Sequence, residues 1–202
     1  MKKSLGPTTL IYPMPVLVVG TYDAAGRANV MTAAWGGIAC SSPPCVTVSL
    51  RAATASHGYI SSRKAFTVSV PGREQAAEAD FFGMASGRSI DKLAATGMTP
   101  ARAEHVDAPY VAEFPLVLEC ALVQTHELGL HTQFIGEIKD VKIDDACLTA
   151  DGSIDLRKLD PVALALDTRG RSAAEAGGYF TFGDRIGPAF SLGKAFMTRA
   201  RP

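Results

Sequence analysis

Between residues 15 and 70 the chain is a run of short β-forming segments cut by turn residues, and this alternation restricts its fold more than any other feature. Residues 15–22 (PVLVVGTY) are rich in β-branched side chains, which suit a pleated surface, and they end at the turn signal Asp23-Ala24-Ala25-Gly26. Residues 28–35 (ANVMTAAW) supply an antiparallel hairpin partner. Cys40-Ser41-Ser42-Pro43-Pro44 reads as a loop, because proline has no N–H for a central ladder. Residues 45–51 (CVTVSLR) and 65–70 (AFTVSV) are further strands. Residues 52–64 between them read as a short helix that Thr54 or Ser56 could cap. Residues 73–96 are Ala-rich and split by Gly83 and Ser86-Gly87, which predicts two short helices in a surface excursion. Residues 115–125 and 131–143 are long strands joined around Gly129, and the second mixes apolar and charged residues as a half-wet sheet does. A short buried strand at 162–166 and a glycine-flanked aromatic tail at 177–183 follow. Many strands, short turns and few helices predict a mainly β chain: a closed antiparallel barrel with peripheral helices, or a sandwich.

Length and charge narrow the function. At 202 residues one unit spanning 1–202 is expected. Lys plus Arg and Asp plus Glu both total 20, so the net charge is zero and a broadly basic nucleic-acid or membrane-surface binder is excluded. No apolar run reaches the ~18 residues of a membrane span, and Pro13 and Pro15 break the N-terminal apolar stretch, so a cytoplasmic protein is expected. Cys40, Cys45, Cys120 and Cys147 form no CxxC pair and read as core or surface thiols. No metal site is expected, since the four histidines have no ligand spacing. GxGxxG, Walker, HExxH and nucleophile-elbow motifs are missing.

Three segments could carry chemistry. Asn29-Val30-Met31-Thr32-Ala33-Ala34-Trp35 places hydrogen-bonding groups and the only tryptophan beside small residues, so a flat ring could lie against the backbone; a core tryptophan in a barrel strand is the plainer reading. Ser49-Leu50-Arg51 leads into Thr54, Ser56 and His57 at a helix start, where free N–H groups and a guanidinium fork could hold a phosphate; ordinary capping beside a solvated Arg is the alternative. In Ser86-Gly87-Arg88-Ser89-Ile90-Asp91-Lys92, the lysine could complete the charge balance, or the segment could be a solvated helix face.

In order and spacing these segments, with Pro15-Val16, Thr21-Tyr22-Asp23-Ala24-Ala25-Gly26, Pro43-Pro44, His131-Thr132-Gln133-Phe134-Ile135-Gly136-Glu137-Ile138 and Tyr179-Phe180-Thr181-Phe182-Gly183, resemble the flavoredoxin branch of the flavin reductase-like family. The resemblance covers most of the chain, about residues 10–194. It implies a six-stranded antiparallel split β-barrel with Greek-key connections, acting as a homodimer with FMN near the interface. It implies that Asn29, Val30, Met31, Thr32, Ala33 and Trp35 line the flavin ring, that Ser49, Leu50 and Arg51 follow the ribityl chain, and that Ser56, His57 and Lys92 lie near the phosphate. FMN has an apolar end, a polar edge and an anionic phosphate, and the three segments offer a matching sequence of surfaces. The implied activity is electron transfer through FMN from NAD(P)H or a protein donor to a flavin or protein acceptor, with His131 as the candidate catalytic residue; a non-catalytic flavin-binding or storage module is the alternative. Many NADH-using relatives carry Gly-Asp-His where this chain has Gly129-Leu130-His131, so the acidic residue is replaced by leucine.

Overall fold

The computed structural model describes residues 1–167, 169, 175, 177–194 and 196; the end of the expected 1–202 unit lies outside the described residues. In chain order the elements are β1 (Met14–Pro15), β2 (Leu17–Tyr22), β3 (Ala28–Ala33), β4 (Gly36–Ser41), β5 (Pro44–Arg51), α1 (Ala55–Arg63), β6 (Ala65–Val70), α2 (Ala76–Met84), α3 (Lys92–Thr96), β7 (Pro100–Arg102), β8 (Pro109–Val111), β9 (Leu116–Leu128), β10 (His131–Ile143), α4 (Leu156–Leu159), β11 (Val162–Leu166) and β12 (Gly177–Thr181).

Seven strands form one antiparallel sheet in the order β3-β2-β6-β9-β10-β5-β4. Its two edge strands, β3 and β4, are consecutive in the chain, with only Ala34 and Trp35 between them. The sheet therefore curls until its ends meet. The Ser49 N–H donates to the Trp35 carbonyl at 2.8 Å and so extends the β4–β5 ladder one step past Gly36–Val48, while among the described residues no ladder joins β3 to β4, which leaves the barrel split. The six expected strands are all present. The additional strand is β4, which includes Cys40 and Ser41; the loop expected at 40–44 shrinks to the tip Ser42-Pro43 because Pro44 opens β5 on the side of an edge hairpin. Residues 15–22 divide at Val16, with Pro15 pairing to β11 in a small three-stranded sheet β1-β11-β12 and Leu17 onward entering the barrel.

β2 is buried on both faces. Leu17 and Val19 join Val48, Leu50, Phe66 and Phe134 inside the barrel, while Val16 and Val18 join Val30, Ala79, Phe82, Leu93 and Phe114 outside it. This double burial explains the apolar run in residues 16–19, where a half-wet strand would alternate. The second cluster corrects the reading of residues 73–96 as a surface excursion. Ala79 and Phe82 of α2 are fully buried against β3, and the helices cover an edge strand that would otherwise expose unpaired backbone groups. Gly20 sits where β8 crosses β2: a Cβ there would lie 2.1 Å from the Pro109 carbonyl oxygen and 2.5 Å from Thr67 Oγ1. Among the described residues no helix is long and apolar enough to cross a membrane.

Candidate functional site

α1 begins at Ala55 because the β5 strand ends in a turn, with the Thr54 N–H donating to the Arg51 carbonyl at 2.9 Å. Thr54 holds the N-cap position but does not cap: its hydroxyl donates to the same Arg51 carbonyl. No acidic residue occupies the first turn. The leading N–H groups of α1 are thus left without a side-chain acceptor, and their dipole end is open to an anion. Ser56 is not a cap either. It is buried, and its hydroxyl accepts from Asn29 Nδ2 at 2.9 Å, while the same amide donates to Thr21 Oγ1 at 3.2 Å. Asn29 is held between β2 and α1 by these two bonds, so its orientation is set before any ligand arrives.

These groups surround a cavity of about 260 Å³ whose walls include Asn29, Met31, Arg51, Thr54, Ser56 and Lys92. Its far side is the C-terminal part of α2 with the following turn, from Phe82 to Gly87. Arg51 is exposed at the rim. Gly87 passes so close to Asn29 that a Cβ would overlap Asn29 Oδ1. Sequence reasoning placed Ser86-Gly87 nearby but missed Phe82, Met84 and Ala85, whose helix carried only an Ala-rich signal.

Lys92 lies in this wall but is not a free surface charge. It is 5% exposed, and its Nζ donates to the Val30 carbonyl at 2.9 Å and the Phe82 carbonyl at 2.7 Å. One acceptor lies on the open edge of β3 and the other in the last turn of α2, where helix carbonyls lack intrahelical partners. An ammonium has three donors, so one remains after these two bonds. Burial pushes the Lys92 pKa down from 10.5 to about 8. The unfolded chain therefore holds this proton more firmly between those values, and the contribution to stability rises with pH across that window. We expect wild type to gain up to about 3 kcal/mol over Lys92→Met between pH 8 and pH 10.5, measured as the change in their difference in urea-unfolding free energy.

A larger cleft of about 660 Å³ opens on the outer face of β4 and β5. Trp35, Gly37, Ile38, Thr47, Ser49 and Gln133 line it together with the N-terminal segment from Thr8 to Pro15. Trp35 is 42% exposed and is not a core tryptophan, because the seam turn throws its ring outward. Its centroid lies 4.5 Å from that of His131, with the planes at 43°. His131 stands opposite Arg51 in the β5–β10 ladder. Burial, and then the Arg51 guanidinium, hold the His131 imidazole below the usual histidine range. The N-terminal wall was missed in the sequence, where Leu10 and Ile11 beside prolines carried no site signal.

The remaining expected residues separate from these cavities. The Val30, Ala33 and Leu50 side chains are buried in the two cores, so only their backbone atoms can face a ligand. Leu50 alternates with Ser49 and Arg51, and Val30 with Asn29 and Met31, so these two face the opposite way; Ala33 shares the face of Met31 but packs into the barrel core. The Thr32 hydroxyl is committed to the Ala79 carbonyl of α2. His57 is not among the cavity walls: its Nε2 bonds Thr132 Oγ1 at 2.8 Å, that hydroxyl donates to Glu127 at 2.9 Å, and the ring packs edge-on against Phe134. Because an ionised Glu127 can only accept, the single Thr132 proton goes to it, and His57 Nε2 must be the donor to Thr132.

The family model of the flavin reductase like domain matches residues 9–157. The flavoredoxin of Desulfovibrio vulgaris (Miyazaki F) is similar with 50% sequence identity and a TM-score of 0.86, over 96% of this chain and 100% of that one. Flavoredoxin from Methanosarcina acetivorans is similar at 28% identity and a TM-score of 0.85, over 98% and 100% of the two chains. An uncharacterized protein of Archaeoglobus fulgidus is 30% identical over 136 residues, 67% of this chain and 76% of the relative. With a split barrel underneath these matches, the chain belongs to the flavin reductase-like family.

Proposed function

We propose that this protein is an FMN flavoprotein that passes electrons through the flavin, from NAD(P)H or a protein donor to a flavin or protein acceptor. The observation that carries the reading is the donor set around the smaller cavity: the uncapped start of α1, the Arg51 guanidinium at the rim and buried Lys92 in the wall. Such a set suits a phosphate dianion better than a neutral group. Asn29, pinned by Ser56 and Thr21, offers an amide to a polar ligand, and Met31 supplies apolar contact beside it. Bound there, FMN would supply the two-electron chemistry, and the chain would supply binding, orientation and electrostatics.

His131 fits the role of a neutral ring that orients a donor against the Trp35 side of the cleft, since its proton affinity is held down. Exposed Trp35, Ile38, Val123, Leu128 and Leu130 leave apolar surface on the seam and on the β9–β10 arm, which supports a second copy of the chain as partner. Calorimetric injection of FMN and of riboflavin into the ligand-free protein tests the reading. FMN should bind at least about tenfold more tightly, the scale of a charge-assisted contact to phosphate. Equal affinities, or no heat with either, would overturn it. Anaerobic mixing of the flavin-loaded protein with NADH or NADPH then separates a nicotinamide-using enzyme, which bleaches, from a carrier fed by a protein.

A further inference from the structure

β4 and β5 form a hairpin, and next to its closing pair Ser41–Pro44 the residue Cys40 stands directly opposite Cys45. Opposed residues on antiparallel strands present their side chains to the same face, with Cα atoms about 4.5–5.5 Å apart. A disulfide takes Cα separations of about 4.4–6.8 Å, so the backbone already holds the pair within bonding range. Both cysteines are free thiols. Cys120, by contrast, is opposed by Phe66 and Ile138 and has no cysteine across either ladder.

The two thiols differ in a way that divides the work of an exchange reaction. Cys40 is exposed on an edge strand, and the register shift between Ile38 and Cys40 leaves its backbone room to adjust. Cys45 is 5% exposed. Burial, and then Cys40 and Glu137 nearby, raise its pKa, which suits the second, resolving position and not the first attack.

We infer that Cys40 and Cys45 form a reversible dithiol–disulfide centre on the outer face of the β4–β5 hairpin, oxidised by small-molecule disulfides. The Cys40 thiolate attacks one sulfur of the small disulfide, forms a mixed disulfide and releases one small thiolate. The Cys45 sulfur then attacks Cys40, its proton goes to the second leaving thiolate, and the intramolecular bond closes. The protein loses two protons and two electrons, and one small disulfide becomes two thiols. The loop enclosed holds only residues 41–44, so the bond adds little by restricting the unfolded chain. Its effect is local. Thr47, two residues along β5 on the same face and about 7 Å away, lines the larger cleft, as do Gly37 and Ile38 of β4. Oxidation would stiffen that wall.

The test is titration of the reduced protein with oxidised glutathione, read by intact mass and by a tryptic map without reductant. Arg27 and Arg51 bracket both cysteines, so trypsin releases them in one peptide, residues 28–51. We expect this peptide to lose two hydrogens, to resist alkylation and to recover with dithiothreitol. Cys45→Ser should stop at a glutathione adduct on Cys40, and Cys40→Ser, an exposed and structurally mild change, should stay unmodified. Wild type that halts at the Cys40 adduct, links chain to chain or does not react would overturn the inference. So would loss of two hydrogens in Cys40→Ser.

Discussion

Arg51→Ala is expected to weaken FMN binding by on the order of tenfold to a hundredfold while changing riboflavin binding by less than about twofold, as judged by calorimetry. The asymmetry follows from position. Arg51 ends β5 at the rim of the cavity that the open start of α1 also lines, so under the proposed reading its guanidinium would meet the one anionic group that distinguishes the two ligands. Its side chain is exposed and supports no core, so the variant should fold normally. A second readout is independent of the flavin. Arg51 faces His131 across the ladder and is one cause of its depressed proton affinity, after burial. The His131 titration midpoint followed by NMR should therefore move upward in Arg51→Ala. Equal losses for FMN and riboflavin would remove Arg51 from the phosphate contact, whatever happens to His131.

Gly20→Ala is expected to destabilise the fold by about 3–5 kcal/mol, seen as a large drop in the urea midpoint, with the slope unchanged. The added methyl would sit 2.1 Å from the Pro109 carbonyl oxygen, which is backbone and cannot rotate away. It would also meet Thr67 Oγ1, whose buried hydroxyl donates to that same carbonyl at 2.6 Å. Either β8 lifts from the barrel or the hydrogen bond breaks, and both leave buried polar groups unpaired. The drop tests the packing of β8 across β2 and β6. A variant within about 1 kcal/mol of wild type would show that β8 does not hold its place at Gly20.

The barrel strands other than β4 were legible as strands because their β-branched runs end in Gly, Pro and Asp turns. β4 was not: Gly36, Gly37 and Ala39 carry no strand signal, and the strand exists because the barrel must close at Trp35. The helices of 73–96 were legible as helices, but their burial was not, since an Ala-rich run with one Phe pair looks the same on a surface or over a sheet edge. Asn29, Met31, Arg51 and Ser56 line one cavity. Val30 and Leu50 share those segments but alternate to the opposite face, while Ala33 shares the face of Met31 and packs into the barrel core. His57 and Lys92 were placed by proximity to a motif alone. Long-range partners, Thr132 for one and the Val30 and Phe82 carbonyls for the other, decide where their nitrogens point, and no local pattern encodes such partners.

Closing the barrel at Trp35 also equips the protein with a built-in optical probe. The chain contains one indole; the Trp35 backbone carbonyl accepts from the Ser49 amide of the neighbouring β5, and an imidazole leans on the ring. Indole emission, excited selectively beyond the tyrosine band, therefore reports on this junction alone. Protonating the neighbouring imidazole should quench it, and parting of the strands should shift its colour before the rest of the fold gives way.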